Sequence, residues 1–85
     1  MINWHEQAWE DYLYWQGNDK QILKRINALI KDILRNPFSG IGKPELLKHE
    51  WSGFWSRRIN DEHRLVYTIQ DGNLIIAQCR YHYDK

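Results

Sequence analysis

The spacing of apolar residues divides the chain into a helical first half and a strand-rich second half. Apolar positions recur at helical intervals from about residue 6 to residue 16, and Gly17 is expected to end this first helix. A second helix is expected to begin at a cap on Asn18 or Asp19 and to end at Pro37. It carries one continuous apolar stripe, formed by Ile22, Leu23, Ile26, Leu29, Ile30, Ile33 and Leu34.

The second half alternates between apolar and polar residues with the period of a β-strand. This alternation predicts strands over residues 54–59, 65–70 and 74–81, and residues 2–4 suit a short first strand. The dipeptide Asp71-Gly72 favours a tight hairpin, so the last two strands should be antiparallel neighbours. We therefore predict one α+β domain over residues 1–85, with two N-terminal helices packed on one face of a twisted, mainly antiparallel sheet. The other face should stay partly open.

Length, charge and cysteine content exclude several classes of protein. A chain of 85 residues is too short for a large multi-step enzyme. Twelve basic against eleven acidic residues leave a net charge of +1, which gives no support for a general nucleic-acid binder. The single cysteine, Cys79, cannot form an internal disulfide, and the apolar run over residues 74–77 is far too short to cross a membrane. We expect a soluble, cytoplasmic protein with no membrane association.

Strand alternation gathers basic and titratable side chains on the predicted open face. They are Arg58, Arg64, Arg80 and His82. Such a cluster could bind a phosphate group. The alternative is that the arginines pair with nearby acids on a solvated face, namely Asp61, Glu62 and Asp71.

The segment GKPELLKH, residues 42–49, could border the same face and adds a carboxylate at Glu45. A base for the 2′-hydroxyl, cations for a pentavalent phosphate and an acid for the leaving 5′-oxygen are what RNA strand scission requires. Glu45 and His82 are the candidate base and acid. Because RNA carries its own nucleophile, no metal or other cofactor is expected, and DNA should be inert. The alternatives are that Glu45 pairs with Lys43 or Lys48 and that His82 is partly ordered near the terminus.

Cysteine and tryptophan offer further candidates for a site. Cys79 and His82 should point to opposite faces of a strand, which argues against zinc and leaves Cys79 as a small buried residue. Among the five tryptophans, Trp4 and Trp9 are expected in the core. Contact with a partner is kept as a hypothesis for the other three, Trp15, Trp51 and Trp55.

Five segments together resemble the YoeB/Txe toxins, which are RelE-type mRNA interferases. The segments are DYLYW in the first helix, GKPELLKH, GFWSRRI, EHRLVY and the terminal CRYHY. The resemblance runs from the first strand to Tyr83. It implies a RelE-like microbial RNase fold and a ribosome-dependent endoribonuclease that enters the vacant A site and cuts the mRNA codon there.

The resemblance also implies a role for individual residues. By position in the motifs, Glu45 corresponds to the general base and His82 to the general acid. Arg64 corresponds to the arginine that stabilises the phosphate, and Tyr83 to the terminal tyrosine of the active site. Lys48 and Arg58 correspond to basic positions that bind the substrate phosphate.

Partners are implied by the same resemblance. They are a YefM-type antitoxin whose disordered tail folds onto the toxin, operator DNA reached only through the toxin–antitoxin complex, and a second copy of the toxin in a homodimer. The alternative reading is a non-catalytic module that blocks the ribosome or acts as a co-repressor of its operon.

Overall fold

The computed structural model describes residues 1–81. A five-stranded sheet has the order β1-β5-β4-β3-β2, in which β1 and β5 are parallel and the other pairs are antiparallel. This confirms the predicted α+β class and the mainly antiparallel sheet. The elements are β1 Ile2–Trp4, α1 Glu6–Asn18, α2 Lys20–Arg35, β2 Glu45–Leu46, β3 Trp55–Arg58, β4 Arg64–Gln70 and β5 Asn73–Gln78, with a 3₁₀ turn at His49–Trp51 before β3.

The junction between the two helices is set by Asp19. The Asp19 amide donates to the carbonyl of Trp15 at 2.9 Å, and its carboxylate accepts from the amides of Gln21 and Ile22. One residue thus closes α1 and caps α2, as predicted. The prediction that Gly17 ends α1 is wrong, because the helix continues to Asn18 and the extended backbone of Asp19 ends it.

The core lies between the two helices and the sheet. Both helices contribute to it: α1 provides Ala8 and Trp15, and α2 provides Ile26, Leu29, Ile30 and Ile33. The sheet contributes Ile59, Leu65, Tyr67, Leu74, Ile76 and Cys79. A second, smaller cluster covers part of the opposite face and consists of Leu47, Val66 and Ala77 with Trp51 and Phe54 against them. The opposite face of the sheet is therefore only partly open, as expected.

Two tryptophans contradict their predicted places. Trp15 is buried, and its indole Nε1 donates to the carbonyl of Cys79 at 2.8 Å, so it is a core residue and not a contact for a partner. Trp9 is 45% exposed, and its ring stacks on Tyr12 and meets the Trp4 ring edge-on. The helix turns a different face to the sheet from the one that its largest apolar residues suggested.

The last hairpin is formed as predicted, but its register shifts. Asp71 and Gly72 both have positive φ, as a two-residue hairpin turn requires. Tyr67 pairs with Ile76 whereas Val66 pairs with Gln78, so Ala77 is an extra residue and forms a β-bulge. β5 then ends at Gln78, not at residue 81. Alternation along a regular strand therefore does not apply to Cys79, Arg80 and Tyr81.

Candidate active site

Glu45 reaches the open face through the short strand β2, which the sequence pattern did not predict. Across β2 and β3, Glu45 pairs with Ser56, and Ser56 in turn pairs with Val66 on β4. Paired residues share a face, so Glu45 lies on the side away from the helices. Gly42 guides the chain into β2, because its carbonyl accepts from the Arg58 amide at 2.7 Å. Gly42 has φ +82, and a Cβ there would lie 2.8 Å from Leu29 Cδ2, so a larger residue would be strained at this position.

The loop before β2 is held by the guanidinium of Arg57, which is fully buried. Its Nη1 donates to Asp32 Oδ2 at 2.6 Å and to the Ile41 carbonyl at 3.0 Å. Its Nη2 donates to the carbonyls of Asn36 and Ser39. The Arg57 side chain thus ties residues 36–41 to the sheet. It thereby fixes the segment that leads into β2 and Glu45.

Arg64 lies next to Glu45 on this face. Arg64 Nη1 is 3.6 Å from Glu45 Oε1 and donates to Ser56 Oγ at 3.0 Å. Ser56 is fully buried, so it orients the guanidinium from below, a role that sequence reasoning missed. The Glu45 side chain keeps 55% of its surface exposed. The ion pair that Glu45 forms is therefore with Arg64, whereas the sequence alternative placed it with Lys43 or Lys48.

Arg58 is the direct cross-strand partner of Arg64 and lies on the same face. Its Nη2 donates to the carboxylate of Asp61, which is almost fully exposed. For Arg58, the alternative of pairing with a nearby acid on a solvated face is confirmed. Exposed ion pairs of this kind contribute little and are easily exchanged for another anion. Lys48 is exposed just before the 3₁₀ turn, three residues beyond Glu45.

Arg80 does not join this cluster, so that part of the prediction is wrong. Its guanidinium lies 3.5 Å from the centre of the Tyr14 ring on α1 and 4.6 Å from that of Tyr81. The cause is the bulge at Ala77 and the end of β5 at Gln78, after which the side chains no longer alternate. Arg80 therefore packs on aromatic rings.

The candidate acid His82 and the terminal Tyr83 lie outside the described residues. The chain that leads to them is held closely up to Tyr81. The Cys79 amide donates to Asp11 Oδ2 at 3.0 Å, and Trp15 Nε1 donates to the Cys79 carbonyl. Two residues further, the Tyr81 amide donates to His63 Nδ1 at 2.7 Å. A fourth hydrogen bond is donated by the Arg64 amide to the Tyr81 carbonyl at 3.0 Å. Two of these four bonds involve side chains of α1, Asp11 and Trp15.

Sequence reasoning missed the side chains that hold this segment, Asp11, Trp15 and His63. A signal for two of them exists, because Ala8, Asp11 and Trp15 are spaced three and four residues apart and form the buried stripe of α1. A carboxylate in such a stripe indicates a buried polar role. His63 carries no comparable signal, since it stands between two strands.

Cys79 is buried, as expected for a small apolar residue. Burial, together with the nearby Asp11 carboxylate, raises the pKa of the Cys79 thiol well above its usual range. The thiol stays neutral and is a poor nucleophile. Within residues 1–81, no group of three or more His, Cys, Asp or Glu side chains is arranged to hold a metal ion. No helix in this part of the chain is long and apolar enough to cross a membrane.

A family model and known proteins match nearly the whole chain. A family model described as the YoeB-like toxin of bacterial type II toxin-antitoxin systems matches residues 4–83. Toxin YoeB from Escherichia coli strain K12 is 66% identical over 80 residues, which are 94% of this chain and 95% of that protein.

Two solved structures from Staphylococcus aureus are similar over almost the whole chain. One is a heterotetrameric YoeB–YefM toxin–antitoxin complex, whose matching chain is 56% identical with a TM-score of 0.91, covering 98% of this chain and 97% of that one. The other is a YoeB dimer, 57% identical with a TM-score of 0.89, covering 96% of this chain and 95% of that one.

Proposed function

Because the chain belongs to the family of YoeB-like toxins of bacterial type II toxin–antitoxin systems, we propose that it is a ribosome-dependent endoribonuclease. It cuts mRNA at the ribosomal A site and thereby inhibits translation in the cytoplasm. The observation that carries the proposal is the pair formed by Glu45 and Arg64, 3.6 Å apart on the open face, with Arg58 directly across the strand pair. A base and two cations thus converge where one phosphodiester can reach all three.

The exposed Glu45 carboxylate takes the proton from the 2′-hydroxyl, and the 2′-oxygen attacks the adjacent phosphorus. Arg64, held by Ser56, stabilises the charge of the pentavalent phosphate. Arg58 and Lys48 bind the same phosphate, Arg58 by exchanging its exposed partner Asp61 for the substrate anion.

The bond from phosphorus to the 5′-oxygen then breaks, and His82 gives that oxygen its proton. The products are a cyclic phosphate, which can be hydrolysed to a 3′-phosphate, and a free 5′-hydroxyl. Tyr83 is the remaining residue of the proposed active site. Every reacting group in these steps belongs to the protein or to the RNA, so we expect neither a metal nor another cofactor to be required.

The partners follow from the same family. A YefM-type antitoxin should bind this chain and cover the site, as supported by the YoeB–YefM complex at 56% identity. A homodimer is supported by the YoeB dimer at 57% identity. Contact with operator DNA should occur only within the toxin–antitoxin complex. Such antitoxin segments fold when they bind, which suits an exposed basic surface.

The test is to add the purified chain to ribosomes stalled on a defined message with an open A site, and to map new 5′ ends by primer extension. A cut within the A-site codon, absent on free message, is expected. Glu45→Gln is the matched control, because it keeps the size of the side chain and removes the base. A chain that binds the ribosome and leaves the message intact would refute catalysis and favour the non-catalytic ribosome-binding module.

A further inference from the structure

We propose that His63 is a positioning residue for the cutting reaction, because its imidazole fixes the backbone of Tyr81 immediately before His82. The inference rests on the proposed function, in which His82 is the general acid. His63 would act through the backbone and would not touch the RNA.

The His63 ring is well placed to act as a fixed acceptor. It is 6% exposed and packs edge-on against the Trp15 ring, with 4.7 Å between ring centres. Its Nδ1 accepts the hydrogen bond of the Tyr81 amide at 2.7 Å. An accepting Nδ1 carries no proton, so the neutral ring bears its proton on Nε2, which lies 3.6 Å from the Glu62 carboxylate.

Tyr81 is held from both sides by two consecutive residues. The His63 ring accepts from the Tyr81 amide, and the Arg64 amide donates to the Tyr81 carbonyl at 3.0 Å. Tyr81 has φ +64, in the left-handed region that residues other than glycine seldom adopt. Such a conformation persists where the surroundings impose it. The same dipeptide, His63-Arg64, therefore carries the phosphate-binding guanidinium and holds the backbone of Tyr81, the residue that precedes His82 in the chain.

The turn that presents His63 is formed without help from Tyr81. Asn60 Oδ1 accepts from the amides of Glu62 and His63 at 2.9 and 2.7 Å. The His63 carbonyl accepts from the Ile59 amide at 2.9 Å. Loss of the Nδ1 acceptor should therefore loosen Tyr81 and leave the turn of residues 59–63 intact.

Three substitutions test the role of the acceptor atom. His63→Asn places its Oδ1 at the same number of bonds from the backbone as Nδ1, and can accept from Tyr81. His63→Gln places its oxygen one bond further, at the level of Nε2. His63→Leu fills similar space and has no acceptor. The Asn and Gln variants are both neutral amides, so the pair differs in the position of the acceptor.

At saturating ribosome concentration, the cutting rate of the Gln and Leu variants should fall roughly 10- to 100-fold, as expected when a reacting group is misplaced by about 1 Å. The Asn variant should cut close to the wild-type rate. Ribosome affinity should be unchanged in all three, because the basic open face is intact. The proposal is overturned if Gln cuts like the wild type, or if folded Asn and Gln variants lose the same activity.

Hydrogen exchange of the Tyr81 amide, measured by NMR, tests the same bond without RNA. Exchange should be slow in the wild type and in the Asn variant and faster in the Gln variant. Equal exchange in all three would contradict the clamp, by which we mean the hydrogen bond from the Tyr81 amide to His63 Nδ1. If the Leu variant fails to fold, the comparison of the Asn and Gln variants still tests whether the position of the acceptor atom matters. If the wild-type chain itself binds ribosomes without cutting, the proposed function fails, and the positioning role fails with it, while Tyr81 exchange shows separately whether the clamp exists.

Discussion

Replacing Arg57 by lysine should destabilise the fold much more than the same change at its neighbour Arg58. All five N–H groups of the Arg57 guanidinium have an acceptor. Four acceptors lie on α2 and the loop that follows it, and the fifth is the Tyr67 hydroxyl, which donates onward to the Pro37 carbonyl at 2.6 Å. Burial raises the pKa of Tyr67, so this hydroxyl stays neutral and keeps its proton to donate.

The size of the effect follows from the count of donors. Lysine has three N–H groups, so at least two of the five acceptors lose their partner. Leaving a buried acceptor unsatisfied costs about 1–3 kcal/mol. Because most of these acceptors are only part-buried, the lower half of that range applies to each, and the loss of two partners should lower the free energy of unfolding by about 2–4 kcal/mol. This is a large share of the roughly 5–15 kcal/mol of a small domain.

Urea unfolding followed by tryptophan fluorescence measures this change, at one fixed protein concentration because self-association would raise the apparent stability. The midpoint should shift by roughly 1–2 M with little change in slope. Arg58→Lys is the matched control, since its guanidinium is partly exposed and its partner Asp61 is at the surface; its effect should stay within about 0.5 kcal/mol. A loss at Arg57 no larger than at Arg58 would refute the reasoning.

Other perturbations should separate the stability of the fold from the chemistry of the site. The hydrogen bond from Arg57 holds the pKa of Asp32 below its usual value of 3.8, so Asp32 stabilises the fold above that value and this contribution is lost as the pH falls through the lowered pKa. Urea midpoints of the wild type and of Asp32→Asn should therefore converge on acidification; a constant difference would contradict this. Glu45→Gln should lower the cutting rate about 10²- to 10⁴-fold with ribosome binding retained, and undiminished cutting would reject Glu45 as the base. Arg64→Lys should cut faster than Arg64→Ala but slower than the wild type, because lysine keeps the charge and loses the planar fork held by Ser56; equal rates for the two variants would contradict this. Trp15→Phe should cost about 1 kcal/mol of unfolding free energy, through the lost bond to the Cys79 carbonyl, whereas the same change at the exposed Trp9 should cost less, by urea unfolding.

Patterns carried by several residues predicted most of the fold. The stripe of α2 needs seven apolar residues in phase, and a single exception does not disturb it. The Asp71-Gly72 turn depends on positive φ angles, which this dipeptide adopts readily without contacts from other elements. The face of β4 that carries Arg64 was also predicted, and the structure places Leu65 and Tyr67 of the same strand in the core on the opposite side. In each case the information lies within one element.

What the pattern missed depends on single residues or on pairing between elements. The phase of α1 was misjudged because its buried stripe includes a small residue and a charged one, Ala8 and Asp11, while the large apolar Trp9 faces outward. β2 has two residues and no periodicity to detect. Arg80 was misplaced because one inserted residue, Ala77, ends the alternation on which its direction was inferred.

The candidate site shows the same limit. Arg64 was expected on the open face and Glu45 in a segment that could border it, but their proximity requires β3 to lie between their strands, in a register that pairs Glu45 with Ser56 and Arg58 with Arg64. A shift of one residue in either pairing would turn Glu45 or Arg64 to the other face. The family motifs identify Glu45 and Arg64 by their positions in the sequence, so they do not require the register of the strands to be known. His63 and Tyr81 also stand in two of these motifs, EHRLVY and CRYHY, but the hydrogen bond between them is visible only once the fold has brought residues 63 and 81 together.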